Sequence, residues 1–272
     1  MKMYKEVTIV MPSYKSRDLV IDKLKHLSKK YKIIIIENSQ DKELKKIIEK
    51  KFKNTKIFLK KNIGFGKAVN IASQHVKTNY FFVINPDTKI YKNTIKYLVL
   101  SAKKIKIFGG LSPEYYKKKI KKNKKIEIEV NKLNGAAMLF KTKIFRNIGG
   151  FDKNFFLYYE ENDLFKRLKS TKLKMYKIQN AFHSHTSIES SSAVMENENE
   201  KYYSYLLTGW HGQWSKFYYY KKHKGYFQSF LICFPNLIKN IIQLILNLFL
   251  NHKKAKYYYF KIEGLIASII SK

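Results

Sequence analysis

The chain has 272 residues, of which 45% are hydrophobic, so it is long enough for one large domain with a substantial core. Lysine and arginine together number 55 against 20 acidic residues, and the net charge of +35 attracts anions such as nucleotide phosphates and acidic lipid. Only three residues are arginine, whereas nucleic-acid readers depend on arginine for bidentate contacts, so nucleic acid is not expected as a partner. The single Cys233 excludes an intrachain disulfide framework and a multi-cysteine zinc site.

The N-terminal residues lack the pattern of a secretion signal. Residues 1–6 are polar, and the apolar run at residues 7–11 is too short for the core of a signal peptide. We therefore expect a cytoplasmic protein whose first regular element is a strand.

Apolar runs alternate with amphipathic segments over the first third of the chain. Strand composition occurs at residues 7–11, 33–36, 56–59 and 80–84, and helical spacing of apolar residues at 18–30, 41–51 and 64–76. Fully apolar strands that alternate with such helices predict βαβ units and a parallel sheet covered on both faces.

Polar residues follow three of these strands directly. They are Pro12, Ser13 and Tyr14 after the first strand, Glu37, Asn38 and Ser39 after the second, and Asn85, Pro86 and Asp87 after the fourth. In parallel sheets ligands bind at the carboxyl ends of the strands. We therefore expect these residues to line one crevice.

The middle of the chain has a less regular pattern. It contains a lysine run at 117–125, an apolar run at 136–140, a turn at 149–152, a helix at 163–170, an extended segment ending at 181–185 and a polar stretch at 187–200. We expect the lysine run to be a solvated loop or hairpin and the polar stretch to be mobile.

The C-terminal region is rich in aromatic and apolar residues, with a regular polar stripe. The stripe consists of Asn236, Lys239, Asn240, Gln243, Asn247 and Asn251. No run of about 20 apolar residues is uninterrupted, which argues against a transmembrane helix. We favour a helix lying in a membrane surface, with aromatic residues and lysines as anchors. The alternative is a helix packed on the preceding domain.

Several short motifs follow one another in a characteristic order. They are VTIVMPSY at 7–14, IENS at 36–39, NxGxGxAxN at 62–70, NPDT at 85–88, GAAML at 135–139, GGFDxxFF at 149–156 and EENDL at 160–164 with Arg167. Together they resemble the family 2 glycosyltransferases, which have the GT-A fold. The Asn-Pro-Asp form is most similar to the bacterial rhamnosyltransferase-type members. The resemblance covers roughly residues 5–225.

This resemblance implies both a fold and an activity. The implied fold is GT-A, an α/β, Rossmann-like mixed sheet sandwiched by helices over residues 1–225. The residue pattern described above, and not the resemblance, predicts membrane-associating amphipathic helices over residues 226–272. The implied activity is that of an inverting hexosyltransferase, with rhamnose as one candidate sugar, which uses a nucleoside-diphosphate donor. The acceptor would be a hydroxyl of a bacterial cell-surface glycan, such as lipopolysaccharide, or of a lipid-linked precursor. The protein would be peripheral on the inner face of the plasma membrane.

The resemblance also assigns a donor site and a metal site. The implied donor-binding residues are Pro12, Ser13, Tyr14, Glu37, Asn38, Asn62, Gly64, Gly66, Asn70, Asn85 and Asp87. A divalent metal, Mg²⁺ or Mn²⁺, would be held by Asp87 and His183, with His185 as the alternative to the latter. Asn85 replaces the first carboxylate of the usual Asp-x-Asp. From the residues alone, Glu37 could equally cap a helix, and Asn62 to Gly66 could be a plain turn.

The acidic motif supplies the expected general base. Glu160, Glu161 and Asp163 are all candidates, and the family pattern places the base at the second position, which is Glu161. A neighbouring carboxylate and partial burial would raise its pKa. Asp163 could instead orient the base or cap the helix that follows.

Two other classes of function remain open. One is a basic nucleic-acid or membrane-binding protein without catalysis, which would need neither Asp87 nor the acidic motif. The other is a nucleotidyltransferase, which would need a denser set of metal-binding carboxylates and a phosphate-binding loop near the N-terminus.

Overall fold

The computed structural model describes residues 3–116, 125–185 and 197–271. The chain forms two compact units, the first comprising Met1–Asp152 and Leu164–Val194 and the second Lys153–Asp163 and Met195–Lys272. The boundary expected between residues 225 and 226 falls between two helices of the second unit. The loop or hairpin expected at 117–125 lies outside the described residues except for Lys125. Of the stretch at 187–200, only residues 197–200 are described, and a helix begins there at Glu198.

The first unit alternates strands and helices along the chain. After a short 3-10 helix at Met3–Glu6 its strands are β1 (Val7–Ser13), β2 (Lys32–Glu37), β3 (Thr55–Leu59), β4 (Tyr80–Ile84), β5 (Thr88–Ile90), β6 (Gly110–Tyr115), β7 (Glu127–Val130), β8 (Ala137–Lys141) and β9 (Met175–His185). Its helices are α1 (Arg17–Leu27), α2 (Lys42–Lys51), α3 (Phe65–His75), α4 (Thr94–Ile105), α5 (Thr142–Asn147) and most of α6 (Glu160–Ser170). The first four predicted strands and the three helices between them are confirmed.

The strands form one mixed sheet in the order β3-β2-β1-β4-β8-β6-β9-β5, with β7 paired to β9. The strands β3, β2, β1 and β4 are parallel, and β8 runs antiparallel to β4. The predicted fold class, a mixed Rossmann-like sheet between helices, is therefore confirmed. Each parallel crossover is a helix because a chain that returns to the same end of a sheet needs a long connection.

The apolar strands contribute to a core on each face of the sheet. Successive side chains of a strand point to opposite faces, and accordingly Ile33 and Ile35 lie in one core while Ile34 and Ile36 lie in the other. One core takes its helical residues from α1, α2 and α4, and the other from α3, α5 and α6. Burial on both faces explains why these strands are apolar throughout rather than alternating.

A tight turn after α5 is held by side chains from two helices. Gly149 and Gly150 both have positive φ, at 82° and 62°, which glycine adopts without steric cost. The amide of Asn70 on α3 donates to the carbonyl of Phe151 at 2.7 Å and accepts from its N–H at 2.9 Å. Arg167 on α6 donates to the carbonyls of Ile148 and Gly150. The observed contacts of Asn70 are therefore with the backbone of this turn.

The second unit consists of the segment Lys153–Asp163 and three long helices, α7 (Glu198–Lys224), α8 (Tyr226–Leu250) and α9 (His252–Ile270). The helices α7 and α9 approach closely where Gly264 meets the backbone of Trp210. Among the described residues, α8 is the one helix that is long and apolar enough to cross a membrane, judged by its length and composition alone. Of its polar stripe, Asn240 and Asn247 are buried, Asn236 and Gln243 are half-buried, and Lys239 and Asn251 are exposed.

We predict that Asn70→Ala lowers the free energy of unfolding by about 1–3 kcal/mol, because two partly buried hydrogen bonds to the backbone of Phe151 are lost. Urea unfolding followed by circular dichroism measures this change. Asn70→Asp should lose less, since a carboxylate still accepts from the N–H of Phe151. An Asn70→Ala protein as stable as the wild type would show that the pair of hydrogen bonds does not hold the turn.

Candidate active site

The carboxyl ends of β2, β1 and β4 lie side by side at one edge of the sheet. Ser13 is in register with Glu37, and the N–H of Asn38 donates to the carbonyl of Ser13 at 2.8 Å. On the other side of β1, Val10 is in register with Val83, which brings the end of β4 to the same edge. The structure therefore places the polar residues after these three strands at a single edge, which we call the strand-end edge.

Two polar side chains at the strand-end edge are buried with an unsatisfied oxygen. Ser13 is 3% exposed and Asn38 is 5% exposed. Neither the hydroxyl of Ser13 nor the side-chain oxygen of Asn38 has a hydrogen-bond partner among the described residues, although the amide nitrogen of Asn38 lies 3.5 Å from the carbonyl of Gly64. A buried polar atom left unsatisfied costs about 1–3 kcal/mol, so each of these oxygens calls for a partner such as a water, an ion or a ligand.

The N-terminus of α3 lies at the same edge, because α3 follows directly on the loop after β3. The side chain of Asn62 accepts from the N–H of Gly64 at 3.2 Å, and Gly64 has a φ of 81°. No side chain caps α3, and no acidic residue occupies its first turn. An uncapped helix N-terminus attracts anions through its unpaired N–H groups and its dipole. Buried Gly66 keeps side-chain atoms away from the first turn of the helix.

The carboxylate of Glu37 is directed into its own loop. It is 1% exposed and accepts hydrogen bonds from the N–H and hydroxyl of Ser39 and from the N–H of Asp41 at 2.7 Å. Asp41 in turn caps α2 and binds Arg17 in a bidentate pair, and this pair lowers the pKa of Asp41. The observed contacts of Glu37 organise the turn after β2, and a direct contact with the donor stays a prediction.

The other residues after β1 are placed around the same turn. Pro12 is buried and Tyr14 is half-buried, and the N–H of Lys15 donates to the hydroxyl of Ser39 at 3.2 Å. This hydrogen bond joins the loops that follow β1 and β2.

Asp87 lies in the turn between β4 and β5. The turn is closed by a hydrogen bond from the N–H of Thr88 to the carbonyl of Asn85 at 3.1 Å, and the side chain of Asp87 is half-buried. Burial lowers the pKa of Lys23 on α1, and the negative charge of Asp87 partly opposes this shift. The positive charge of Lys89 lowers the pKa of Lys23 further, whereas the charge of Asp87 raises it. Lys23 and Lys89 thus place positive charge near Asp87, which suits phosphate oxygens, and Asp22 is a further carboxylate near Lys23.

The two histidines at the end of β9 pair with different residues of β5, the strand that follows Asp87. His183 is in register with Ile90 and is fully buried, and its Nδ1 lies 3.1 Å from the carbonyl oxygen of Glu114. His185 is in register with Thr88, the residue that follows Asp87. The backbone register thus brings His185, rather than His183, next to Asp87.

The metal-binding groups at the strand-end edge fit a metal ion that is also bound by the phosphates of a substrate. Within residues 3–116, 125–185 and 197–271, no three His, Cys, Asp or Glu residues lie together as a metal cage would require. Mg²⁺ and Mn²⁺ prefer oxygen ligands, and Mg²⁺ is commonly held by one or two carboxylates together with substrate phosphates. Asp87 supplies one such carboxylate, so the residues present fit a divalent metal only with donor phosphates as further ligands.

The acidic motif lies at the start of α6. Its residues 160–163 belong to the second unit, and the rest of α6, from Leu164, belongs to the first. Glu160 is 7% exposed, whereas Glu161 is half-buried. Burial raises the pKa of Glu160 to about 7 and that of Glu161 to about 7. A carboxylate with such a pKa accepts a proton readily near neutral pH, as a general base must.

Asp163 has a different environment from the two glutamates. It is fully buried, and its Oδ1 lies 2.7 Å from Nζ of Lys222 and 2.8 Å from Nε2 of His223, both on α7. The expectation that Asp163 caps α6 is wrong, because α6 begins at Glu160 and the N–H of Asp163 already donates to the carbonyl of Tyr159. Its carboxylate instead ties the acidic motif to the last turn of α7.

The backbone before the acidic motif is held in an unusual conformation by α7. Tyr158 and Tyr159 have φ values of 68° and 64°, a region that non-glycine residues rarely occupy. The hydroxyl of Ser215 on α7 donates to the carbonyl of Leu157 at 2.8 Å, and Phe156 stacks on His211. Sequence reasoning missed this role of α7, because the contacts join residues more than 50 positions apart.

Comparison with solved structures places this fold among the GT-A glycosyltransferases. A mannosyltransferase from Pyrobaculum calidifontis in complex with GDP-Man and Mn²⁺ has a TM-score of 0.59 and 10% identity, and the match covers 98% of this chain and 88% of that one. S. aureus TarS, residues 1–349, has a TM-score of 0.53 and 13% identity, covering 96% and 90%. GalNAc-T7 with UDP, GalNAc and Mn²⁺ has a TM-score of 0.57 and 13% identity, covering 76% and 51%. The matched part is thus about half the length of GalNAc-T7.

The sequence itself defines the family. Residues 8–171, more than half of the chain, match the model of glycosyl transferase family 2. The chain belongs to this family. No curated protein sequence is significantly similar to it. The identities to the solved structures, at 10–13%, show a shared fold.

We predict that Asp163→Asn lowers the free energy of unfolding by about 2 kcal/mol or more, because Lys222 and His223 lose a fully buried partner. Glu129→Gln provides a control, since it removes an ion pair with Lys174 in which both side chains are more than half exposed. That variant should not change the urea midpoint. Equal midpoints for Asp163→Asn and the wild type would contradict a structural role for the buried pair.

Proposed function

We propose that this protein is an inverting glycosyltransferase. It moves a hexose from a nucleoside-diphosphate donor to a hydroxyl of a bacterial cell-surface glycan or a lipid-linked precursor. The carrying observation is the pair of buried, unsatisfied oxygens on Ser13 and Asn38 beside the uncapped N-terminus of α3. Hydroxyl groups of a nucleoside or sugar suit these oxygens, and a diphosphate suits the helix N-terminus. The mannosyltransferase and TarS structures, determined with nucleotide sugars or UDP, support the same class of donor.

The donor site belongs to the first unit. Ser13, Asn38 and the first turn of α3 would contact the nucleotide, and Asn62 orders the loop before that helix. Asp87 would hold a divalent metal together with the donor phosphates, and such a metal neutralises the charge that grows on a departing diphosphate. The cationic side chains of Lys23 and Lys89 would also stabilise the negative charge on the departing diphosphate. The Asn-Pro-Asp form of this motif supports rhamnose as the first sugar to test.

The chemical step requires a base for the acceptor hydroxyl. Glu161 takes the proton, the acceptor oxygen forms a bond to the anomeric carbon, and the bond from that carbon to the diphosphate breaks. The diphosphate leaves with the electron pair, and the configuration at the anomeric carbon inverts. Glu161 suits this role better than Glu160, because it is the less buried of the two. Asp163 suits it less well, because Lys222 and His223 already engage its carboxylate.

We predict that the wild-type protein releases free nucleoside diphosphate from at least one member of a panel of nucleotide sugars in the presence of Mn²⁺. Asp87→Asn should lower this release by about 100-fold or more while circular dichroism shows an unchanged fold, because stabilisation of the leaving diphosphate is lost. Asp22→Asn is the matched control, since Asp22 is an exposed carboxylate that also acts on Lys23. Equal loss in both variants, or no turnover of any donor, would contradict the proposal.

We predict that Glu161→Gln lowers kcat by about 10²–10⁴ with little change in donor affinity, because only deprotonation of the acceptor is lost. The wild-type kcat/KM should rise with pH through about 7, where burial places the pKa of Glu161, since a base acts only in its ionised form. This rise should be absent in Glu161→Gln. Glu160→Gln is the comparison variant and should keep both the rise and most of the rate. The reverse pattern would assign the base to Glu160.

A further inference from the structure

The helix α8 exposes a largely apolar face, and several of the residues on its buried face are polar. Its buried residues are Ser229, Cys233, Asn240 and Asn247, which recur at intervals that place them on one face. The amide of Asn247 donates to the carbonyl of Gln243 within the same helix at 2.7 Å. Phe230, Ile232 and Leu237 pack inward beside Cys233, so α8 has apolar residues on both of its sides. A helix of a water-soluble unit normally keeps most of its large apolar side chains inside, whereas α8 exposes many of them.

The opposite face of α8 carries large apolar side chains along its whole length. They include Phe227, Leu231, Ile238, Ile242, Ile245 and Phe249. Phe227 is 73% exposed, Ile245 53% and Phe249 87%, so neither end of the helix is covered. Contiguous apolar patches of this kind are rare on soluble monomers and mark sites that contact a membrane or another protein.

Lysines flank both ends of this face. The last turn of α7, which leads through Gly225 into α8, contains Lys221 and Lys224. The first turn of α9, which follows α8 after Asn251, contains exposed Lys253 and Lys254, and Lys256 follows. Exposed Tyr226 and Tyr259 lie beside them in the sequence. Lysine and tyrosine around an apolar face are the residues that anchor a helix at the boundary of an anionic bilayer.

The packing of α8 favours a position in the membrane surface over a crossing. The helix packs against both α7 and α9 within the second unit. Exposed Lys239 lies near its middle, and α9 carries Lys261 and exposed Glu263. A crossing would take these charges through the hydrocarbon, which is unfavourable for each of them. A surface position leaves them in water.

We propose that the outward apolar face of α8, with the lysines at its two ends, inserts into the surface of an anionic lipid bilayer. The like charges around the face oppose its use as a contact between two copies of this chain, since both copies would bring lysines to the same boundary. Anionic lipid headgroups complement these charges, and the acyl chains complement the apolar residues. The binding does not depend on the donor or on the acidic motif.

The test uses the full-length protein and preformed vesicles of phosphatidylglycerol and phosphatidylcholine, with sedimentation as the measurement. A triple variant, Ile242→Gln, Ile245→Gln and Phe249→Gln, changes exposed residues of the face and should weaken binding by about tenfold or more with an unchanged circular dichroism spectrum. The matched control is Leu100→Gln, Ile107→Gln and Ile126→Gln, which changes exposed apolar residues of the first unit. It should bind as the wild type does. Vesicles of phosphatidylcholine alone should bind the wild type less tightly.

Three results would overturn the proposal. Equal sedimentation of both triple variants and the wild type would show that the face of α8 does not contact lipid. A wild-type protein that ignores vesicles but is dimeric, and becomes monomeric in the α8 variant, would assign the face to a second copy. Protein that stays with membranes after a wash with alkaline carbonate would show a helix that crosses the bilayer rather than one bound at its surface.

Discussion

The parallel pairing of β1 with β2 and β4 is the constraint on which the candidate donor site depends. Parallel strands end at the same edge of a sheet, so the residues that follow these three strands are brought together however far apart they lie in the chain. The same connectivity returns the chain to this edge before α3, which places the helix N-terminus there. Sheet pairing thus assembles hydroxyl, amide and carboxylate groups around a site for an anionic ligand.

The distribution of satisfied and unsatisfied polar groups separates structural residues from candidate ligand contacts. The arginines make structural contacts: Arg17 binds Asp41, Arg146 binds the carbonyls at the end of α3, and Arg167 binds the turn after α5. Glu37 is likewise satisfied by its own loop. Ser13 and Asn38, in contrast, each bury an oxygen without a partner among the described residues. Their position at the strand-end edge makes these two oxygens candidate contacts for a ligand.

In the second unit, α7 fixes the side-chain contacts of Asp163 and the backbone conformation just before the acidic motif. It binds Asp163 through Lys222 and His223, and it holds the strained backbone at Tyr158 and Tyr159 through Ser215. Burial without an ion pair raises the pKa of the two glutamates to about 7. The three acidic residues of the motif therefore have different environments: Glu160 is buried, Glu161 is half-buried and is our proposed base, and Asp163 is fully buried in ion pairs with α7. Lys222, which contacts the acidic motif, lies in the same last turn of α7 as Lys221 and Lys224, which flank α8.

The sequence alone determined the alternation of strands and helices, because strands buried on both faces are short, continuous apolar runs that few other structures contain. The ordered motifs determined the family and, with it, the mixed sheet. The sequence also determined which residues follow the strand ends. The tertiary structure decided what those residues contact: Glu37 turns into its own loop, Asn70 holds the turn at Phe151, and Asp163 pairs with α7 instead of capping α6. It also decided which side of α8 faces outward. Periodicity shows that a helix has two faces, but only its neighbours α7 and α9 determine which face is buried, and they bury the one that carries Ser229, Asn240 and Asn247.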